Sequence, residues 1–230
     1  DPRIAAAIRA ALGDAASVVN VGAGSGSYEP EQTVLAVEPS ETMIRQRPSG
    51  AAPCVRGTAE AIPLGPRAVD AAMAVLCVHH WPDLERGLRE MTRVAMKRVV
   101  LLTWVPDSPA FWLTRDYFPE IAAHDRTLFP TSDVLAGMLT GIVGPTVIRP
   151  VPVPHDCVDG FLCAYWRRPE RYLNAEVRGA MSSFARIDAS GGLARLCEDL
   201  SSGRWTERNR DLLELDSMDL GYRLAKCEVR

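Results

Sequence analysis

Three glycines at alternate positions follow the first apolar stretch of the chain. Gly22, Gly24 and Gly26 lack a Cβ, so the backbone at these positions can approach a ligand closely. A dinucleotide-binding loop has the spacing G-x-G-x-x-G and presents the start of a long helix to a pyrophosphate. Here the third glycine comes one residue early, and only seven residues, Pro30 among them, separate Gly26 from Val34. The spacing therefore favours a ligand that lacks a pyrophosphate.

An acidic residue stands at the end of the next apolar stretch. Glu38 comes 16 residues after Gly22, and a carboxylate at a strand end can accept hydrogen bonds from both hydroxyls of a ribose. The same negative charge would repel a 2′-phosphate. The glycines alone would also suit a plain tight turn, but together with Glu38 they predict a site for a ribose-bearing ligand.

Histidine is the side chain most able to move a proton near neutral pH, and the chain has four. His79 and His80 follow the fourth apolar stretch, where His79 is the candidate general base and His80 is more typical of a cap on the next turn. His155 precedes Asp156, and this pair indicates either a more basic histidine or a helix start. No cysteine or histidine spacing is typical of a metal site, so we expect no metal.

Strands alternate with helical patterns in the first part of the chain. Apolar strands are predicted over residues 17–21, 33–37, 54–56, 70–78 and 98–104. Helices are predicted over residues 2–12 and 83–95, where apolar residues recur at helical spacing. This alternation predicts an α/β fold with a doubly wound sheet, whose strands end at the edge where such folds bind ligands.

The second part of the chain has a different pattern. A helix is predicted over residues 131–140, a proline-containing edge strand over 146–154 and a last strand over 218–229. The stretches "CVDGFLCAYW" and "RYLNAEVRGAMSSFARI" predict helices within residues 156–202. We expect one domain over residues 1–230, with a cofactor-binding half at 1–104, substrate segments at 105–142 and 156–202, and edge strands at 143–155 and 218–229.

Composition argues against several classes of partner. The 230 residues carry a formal net charge of −3, so there is no basic excess to bind a nucleic-acid backbone. No apolar run has the length of a membrane span, and none has the pattern of a signal peptide. We therefore expect a cytoplasmic protein, a monomer or homodimer, with neither nucleic acid nor membrane as a partner.

Four ordered stretches and the tail resemble the successive motifs of class I S-adenosylmethionine-dependent methyltransferases. They are "VVNVGAGSG", "VLAVEPSETMI", "RGTAEAIPL", "AAMAVLCVHHWPDLERGLREMTRV" and "DLGYRLA", and they are most similar to the type 11 group that includes the ubiquinone and menaquinone enzymes. The resemblance implies a Rossmann-like, seven-stranded, mostly parallel sheet with an antiparallel last strand. It also implies S-adenosylmethionine as cofactor and S-adenosylhomocysteine as product.

The resemblance further implies which residues hold the cofactor. The glycine loop would wrap the methionine part, Glu38 would bind the ribose, and His80 would lie near the sulfonium with the end of the fourth strand. The implied cofactor-binding set is Asn20, Gly22, Ala23, Gly24, Gly26, Glu38, Pro39, Met43, Gly57, Thr58, Ala59, Val75 and Leu76. Asn20 and Thr58 depart from the family, which usually has aspartate at the first position and often at the second.

The activity that the resemblance implies is methyl transfer to a small molecule. We expect an oxygen acceptor, with nitrogen or carbon left open, in bacterial secondary metabolism. The residues predicted to line the acceptor, or else to form an ordinary core, are Trp104, Trp112, Tyr117, Phe118, His155 and Tyr165. The alternatives are a non-catalytic S-adenosylmethionine-binding protein or partner subunit of the same fold and, less favoured, an NAD-dependent oxidoreductase.

Overall fold

The structure, a computed structural model, describes residues 1–230 and contains a seven-stranded sheet and a separate two-stranded sheet. The strands are β1 Val18–Val21, β2 Thr33–Glu38, β3 Cys54–Arg56, β4 Val69–Val75, β5 Ala95–Trp104, β6 Thr146–Pro150, β7 Val153–Pro154, β8 Ser217–Met218 and β9 Tyr222–Glu228. The sheet order is β3-β2-β1-β4-β5-β9-β6, with the pairs among β1 to β5 parallel and β9 antiparallel to β6. The predicted fold class is confirmed, including the antiparallel last strand.

Eight α-helices accompany the strands. They are α1 Pro2–Leu12, α2 Glu41–Arg45, α3 Leu84–Val94, α4 Pro119–Leu128, α5 Ser132–Ile142, α6 Ala175–Gly179, α7 Ser190–Ser201 and α8 Arg204–Arg208. Short 3₁₀ turns lie at Ala59–Ala61, Val78–His80, Pro169–Leu173, Phe184–Arg186 and Arg210–Glu214, and a π-helical turn lies at Leu113–Tyr117. The helices predicted over residues 2–12, 83–95 and 131–140 are confirmed to within about two residues at each end.

The chain divides into two compact units. The sheet unit contains Pro2–Val105, Thr131–Pro150 and Arg223–Arg230. The helical unit contains Asp1, Pro106–Pro130 and Val151–Tyr222, and so holds α4, α6, α7, α8 and the two-stranded β7–β8 sheet. Helix α5, which the sequence analysis placed within a substrate segment, belongs to the sheet unit.

The core of the sheet unit follows from the sequence pattern. All residues of β4 from Val69 to Ala74 are buried, as expected for a parallel strand covered on both faces. Leu88, Met91 and Val94 recur at helical spacing on α3, and each is fully buried. These residues fix the end of β4, and with it the loop that carries the two adjacent histidines.

Two predicted strands end earlier than expected. The prediction ran the fourth strand to residue 78, but β4 ends at Val75 because Leu76 has a φ of 51°, which a strand cannot accommodate. The predicted strand over 146–154 is split, since β6 pairs with β9 up to Pro150 whereas Val153 and Pro154 pair with β8. The last strand begins at Tyr222 and not at residue 218.

The long helices predicted within residues 156–202 are mostly wrong. The stretch at residues 157–166 forms turns, and the Arg168 guanidinium donates hydrogen bonds to the carbonyl oxygens of Cys157 and Ala164. In the next stretch, Asn174 starts a new short helix, because its side chain accepts from the backbone N–H groups of Glu176 and Val177. Local capping therefore breaks a stretch whose composition suits one long helix into several short turns. The one long helix of this region is α7.

Candidate active site

The glycine loop adopts a conformation that side chains disfavour. Gly22, Gly24 and Gly26 have φ angles of 69°, 54° and 98°, all in the left-handed region. The N–H groups of Gly22 and Ala23 both donate to the carbonyl oxygen of Val37, at 2.8 and 3.1 Å, so the loop is fastened to β2. Around Gly24, a Cβ would meet no atom within 4 Å. The loop therefore has open space at its centre, as the approach of a ligand to the backbone requires.

The floor of the loop is a cysteine that sequence reasoning did not identify. A Cβ on Gly22 would lie 2.7 Å from the sulfur of Cys77 and 3.5 Å from Nε1 of Trp81. The Cys77 thiol donates to the carbonyl oxygen of Val21 at 3.2 Å, and burial raises its pKa to about 12, so the thiol stays protonated. Position 22 is thus closed to any side chain, and Cys77 packs there as an inert group. Its place two residues beyond the end of the fourth strand was the only available signal.

Glu38 connects the glycine loop to the turn after β2. Its side chain is buried, and one carboxylate oxygen accepts from the Gly24 N–H at 2.8 Å while the other accepts from the Ser40 N–H at 2.9 Å. Each carboxylate oxygen has two lone pairs, so both can accept a further hydrogen bond from a ribose hydroxyl. Glu38 therefore has two functions available to it: it shapes the loop, and it offers acceptors to a ligand.

The residues predicted to surround an adenine lie beyond the ends of two neighbouring strands. Pro39 and Met43 follow β2, and both are exposed. Gly57 and Thr58 follow β3, which pairs with β2 in a register that sets Glu38 beside Arg56. The Gly57 N–H donates to the carbonyl oxygen of Glu38 at 3.3 Å, and Ala59 is buried in the 3₁₀ turn that follows. The structure thus brings the two predicted sides of the adenine site to one sheet edge.

A buried ion pair stabilises the loop where the crossover helix is missing. Glu29 accepts from Nη2 of Arg47 at 2.7 and 2.8 Å, and the two side chains are only 7% and 5% exposed. The same carboxylate accepts from the side-chain amide of Asn20 at 3.1 Å and from the Ala52 N–H at 3.0 Å. It therefore joins β1, the segment after the glycine loop and the segment after α2.

The Glu29 carboxylate also explains the amide at position 20. An aspartate there would place a second carboxylate within about 3 Å of Glu29, and like charges at that separation disfavour each other. Asparagine donates the hydrogen bond instead, while Glu29 keeps a negative charge beside β1. The departure of Asn20 from the family pattern is thus compensated locally. Sequence reasoning missed Glu29 and Arg47, because nothing in their spacing indicates that they meet.

His79 and His80 lie in the 3₁₀ turn that follows the left-handed Leu76. Their ring centroids are 3.9 Å apart, and the His79 side chain is half-buried whereas that of His80 is exposed. The cap of α3 is Asp83, whose carboxylate accepts from the Arg86 N–H at 2.9 Å, and a capping role for His80 on its own turn stays a prediction. His79 and His80 both follow the end of β4 in the sheet unit, as the sequence predicted.

The residues predicted to line the acceptor fall into two groups. Trp112, Tyr117 and Phe118 belong to the core of the helical unit, where each is at most 3% exposed. Trp104 and Tyr165 are half-buried, Trp104 at the end of β5 and Tyr165 beside the guanidinium groups of Arg168 and Arg171, 4.9 and 5.4 Å from its ring centre. A role against the acceptor stays a prediction for all five residues.

His155 does not start a helix. The residues that follow it form turns, and its backbone N–H donates to the carbonyl oxygen of Asp216 at 2.9 Å. Its Nδ1 lies 3.2 Å from the same carbonyl oxygen. The expectation of a helix cap at this position is wrong, and His155 instead extends the pairing of the two-stranded β7–β8 sheet.

Comparison with known proteins identifies the family. Residues 19–103 match a family model described as a methyltransferase domain. A solved structure from Anabaena variabilis, assigned as a methyltransferase from an antibiotic biosynthesis pathway, is 33% identical with a TM-score of 0.91, and the match covers 99% of this chain and 97% of that chain. The chain belongs to the S-adenosylmethionine-dependent methyltransferases. The alternative of an NAD-dependent oxidoreductase is therefore wrong.

More distant structures share the fold of the methyltransferase. An S-adenosylmethionine-dependent methyltransferase from Thermotoga maritima is 16% identical, with a TM-score of 0.59, over 98% of this chain and 87% of that chain. The geranyl diphosphate C-methyltransferase of Streptomyces coelicolor, solved with S-adenosylhomocysteine, is 17% identical, with a TM-score of 0.55, over 100% of this chain and 77% of that chain. A search of curated proteins found no match.

The cofactor of the methyltransferase is S-adenosylmethionine, and the sheet unit has a fitting arrangement for it. The backbone at Gly24 is accessible, Glu38 retains acceptor capacity for a ribose, and no long helix directs its dipole at the loop. No helix of the chain has both the length and the hydropathy needed to cross a membrane.

Proposed function

We propose that this methyltransferase transfers a methyl group to an oxygen of a small-molecule acceptor in bacterial secondary metabolism. The observation that carries its secondary-metabolism part is the Anabaena variabilis structure, which is assigned to an antibiotic biosynthesis pathway and matches this chain over 99% of its length. A match of that extent includes both the sheet unit and the helical unit. The segments outside the cofactor motifs are therefore shared as well.

The proposed cofactor site uses the sheet edge described above. The loop from Gly22 to Gly26 holds the methionine part, and Glu38 accepts from the ribose hydroxyls. The adenine lies between Pro39 and Met43 on one side and residues 57–59 on the other, with Val75 and Leu76 near the sulfonium. When bound, S-adenosylmethionine supplies a methyl group on a good leaving group, so the protein contributes mainly orientation and exclusion of water.

An oxygen acceptor of high pKa requires removal of its proton, and His79 is the proposed residue for this. Its side chain is half-buried directly beyond β4, and an imidazole takes up protons near neutral pH. His80, on the same turn, is exposed and serves as a natural comparison. The two histidines therefore offer matched variants.

The test is a methyl-transfer assay with isotopically labelled S-adenosylmethionine and a panel of phenols, alcohols, amines and carbon nucleophiles. We expect labelled product from a hydroxyl compound, with the new bond assigned by NMR. His79→Ala is expected to lose at least tenfold in turnover while its calorimetric affinity for S-adenosylhomocysteine stays unchanged. Transfer only to nitrogen or carbon would overturn the oxygen acceptor. Loss of turnover in His80→Ala but not in His79→Ala would overturn the role of His79.

A further inference from the structure

A glycine occupies a core position in the middle of helix α3. Gly87 is the fourth of the eleven residues of α3, and it lies on the buried face of the helix with Leu88 and Met91. Its backbone is helical and not left-handed, so its conformation does not require glycine. Glycine within a helix is destabilising relative to alanine, because it loses more backbone entropy on folding. The missing side chain at this position therefore needs another explanation.

The indole of Trp81 fills the space that Gly87 leaves. A Cβ on Gly87 would lie 2.5 Å from Cε3 and 2.8 Å from Cζ3 of Trp81, which is closer than real Cβ atoms approach other atoms. The same Cβ would lie 3.2 Å from the Cβ of Ala59. Trp81 is half-buried and packs against the core of the sheet unit. The indole thus explains why α3 has no side chain at position 87.

The opposite edge of the indole reaches the glycine loop. Nε1 of Trp81 lies 3.5 Å from the position that a Cβ on Gly22 would take, and the sulfur of Cys77 lies 2.7 Å from the same position. The six-membered ring of the indole therefore contacts α3, while its nitrogen lies at the floor of the loop beside Cys77. A single side chain fills the space at two glycines that are 65 positions apart in the chain.

The backbone of Trp81 also closes the turn that carries the two histidines. Its N–H donates to the carbonyl oxygen of Val78 at 3.2 Å, directly after the 3₁₀ turn that ends at His80. Asp83, two residues later, caps α3. Trp81 is therefore attached to the turn by its backbone and to the loop and the helix by its side chain. The size of the indole sets the spacing between these three parts of the site.

We propose that Trp81 is a positioning residue for S-adenosylmethionine, which acts through Gly22 and not by contact with the cofactor. With the indole in place, the loop already has its binding conformation before the cofactor arrives, so less ordering opposes binding. The same ring packs beside Ala59, and so it supports both the loop and the turn predicted to border the adenine. The inference rests on the cofactor site proposed above, but it does not depend on the identity of the methyl acceptor.

The test is calorimetric binding of S-adenosylhomocysteine, well below the unfolding temperature of every variant. We expect Trp81→Leu to raise the dissociation constant roughly tenfold, because the loop loses its preorganisation. Trp81→Phe keeps one aromatic ring and is expected to give an intermediate value. The control is Leu139→Ala, at a fully buried position of α5 in the same unit. This variant should lower the unfolding temperature and leave the dissociation constant unchanged, which separates loss of stability from loss of positioning.

Gly87 supplies a second variant that leaves Trp81 in place. Gly87→Ala should displace the indole, and we expect it to lower the unfolding temperature and to raise the dissociation constant about fivefold. In the Trp81→Leu background the new Cβ meets no indole, so Gly87→Ala should change neither quantity in that direction. The matched control is Gly137→Ala on α5, where a Cβ would meet no atom within 4 Å. It should raise the unfolding temperature in both backgrounds, since alanine favours a helix.

Two results would overturn the proposal. One is a dissociation constant for Trp81→Leu that stays within about twofold of the wild type; if that variant does not fold, the same result for both Trp81→Phe and Gly87→Ala is decisive. The other is an effect of Gly87→Ala on the dissociation constant that persists in the Trp81→Leu background.

Glu38→Ala separates a failure of this inference from a failure of the proposed cofactor site. If Glu38→Ala weakens binding of S-adenosylhomocysteine and Trp81→Leu does not, the cofactor site stands and Trp81 only fills the core. If neither variant weakens binding, or if the wild type does not bind S-adenosylhomocysteine, the proposed cofactor site is wrong and the inference falls with it.

Discussion

Substitution of Glu29 tests whether the buried ion pair replaces the missing crossover helix. Glu29→Leu leaves the Arg47 charge buried and also removes the acceptor of Asn20 and of the Ala52 N–H. Breaking a buried pair by removing one partner costs about 3–5 kcal/mol of unfolding free energy. Each donor left without an acceptor adds about 1–3 kcal/mol where water cannot reach it. We therefore expect Glu29→Leu to lose at least about 4 kcal/mol.

The partner substitution has a smaller expected effect. In Arg47→Met, Glu29 keeps its hydrogen bonds from Asn20 and Ala52, so we expect a loss of about 3 kcal/mol. In the double variant, the second substitution removes the unpaired Arg47 charge and is expected to cost almost nothing. The coupling free energy between the two sites should therefore be at least about 2 kcal/mol.

Urea unfolding followed by circular dichroism measures these free energies, provided that the slopes with denaturant stay equal among the variants. The control is Glu41→Leu, which breaks a surface ion pair in which the Arg45 side chain is 71% exposed and the Glu41 side chain 59% exposed. This substitution should change the free energy of unfolding by less than about 1 kcal/mol. A loss below about 1 kcal/mol in Glu29→Leu, or a larger loss in Arg47→Met, would refute the reasoning.

Three further predictions concern single residues. Glu38→Ala should weaken calorimetric binding of S-adenosylhomocysteine at least tenfold, because two ribose hydrogen bonds to a charged acceptor are lost; an unchanged dissociation constant would show that Glu38 is misplaced. Gly22→Ala should destabilise the protein more than Gly24→Ala in urea unfolding, since only the first new Cβ meets an atom, the Cys77 sulfur at 2.7 Å. For Asp125, burial on α4 raises the folded-state pKa to about 6, above the ordinary 3.8, so its contribution to stability is present below about pH 4 and is lost as the pH rises through 6. Asp125→Asn should abolish this fall, which we expect to be roughly 1–2 kcal/mol after screening, and equal pH profiles of thermal unfolding would contradict it.

The sheet and the cofactor loop were predictable because their signals are local. Stretches in which apolar and polar residues alternate, or in which all residues are apolar, identify the buried strands. Apolar residues at helical spacing, such as Leu88 and Met91, identify α3. The glycines predict a left-handed loop directly, since few other residues adopt positive φ. Glu38 is identified by its place at a strand end, and the structure confirms that it lies at the loop, within 2.8 Å of the Gly24 N–H.

The helical unit was less predictable because its structure depends on individual caps. Residues 171–187 have a composition that suits a helix, but the Asn174 side chain offers acceptors to a new helix start. Likewise, the aromatic residues after β5 gave no indication of which were core. Trp112 is buried, and its indole N–H is satisfied by the carbonyl oxygen of Trp166, 54 positions away, a contact that a sequence pattern does not show.

The charges around the glycine loop show how a cofactor site can dispense with its helix. The start of a long helix would present a positive partial charge, which suits a pyrophosphate. Here the one cation packed against the loop is Arg47, whose Nη1 would lie 3.4 Å from a Cβ on Gly26, and Glu29 neutralises it. With the carboxylate of Glu38 included, the three side chains Arg47, Glu29 and Glu38 carry one net negative charge beside the loop. Since the sulfonium and ammonium groups of S-adenosylmethionine outweigh its one carboxylate, the same arrangement that disfavours a pyrophosphate favours this cofactor.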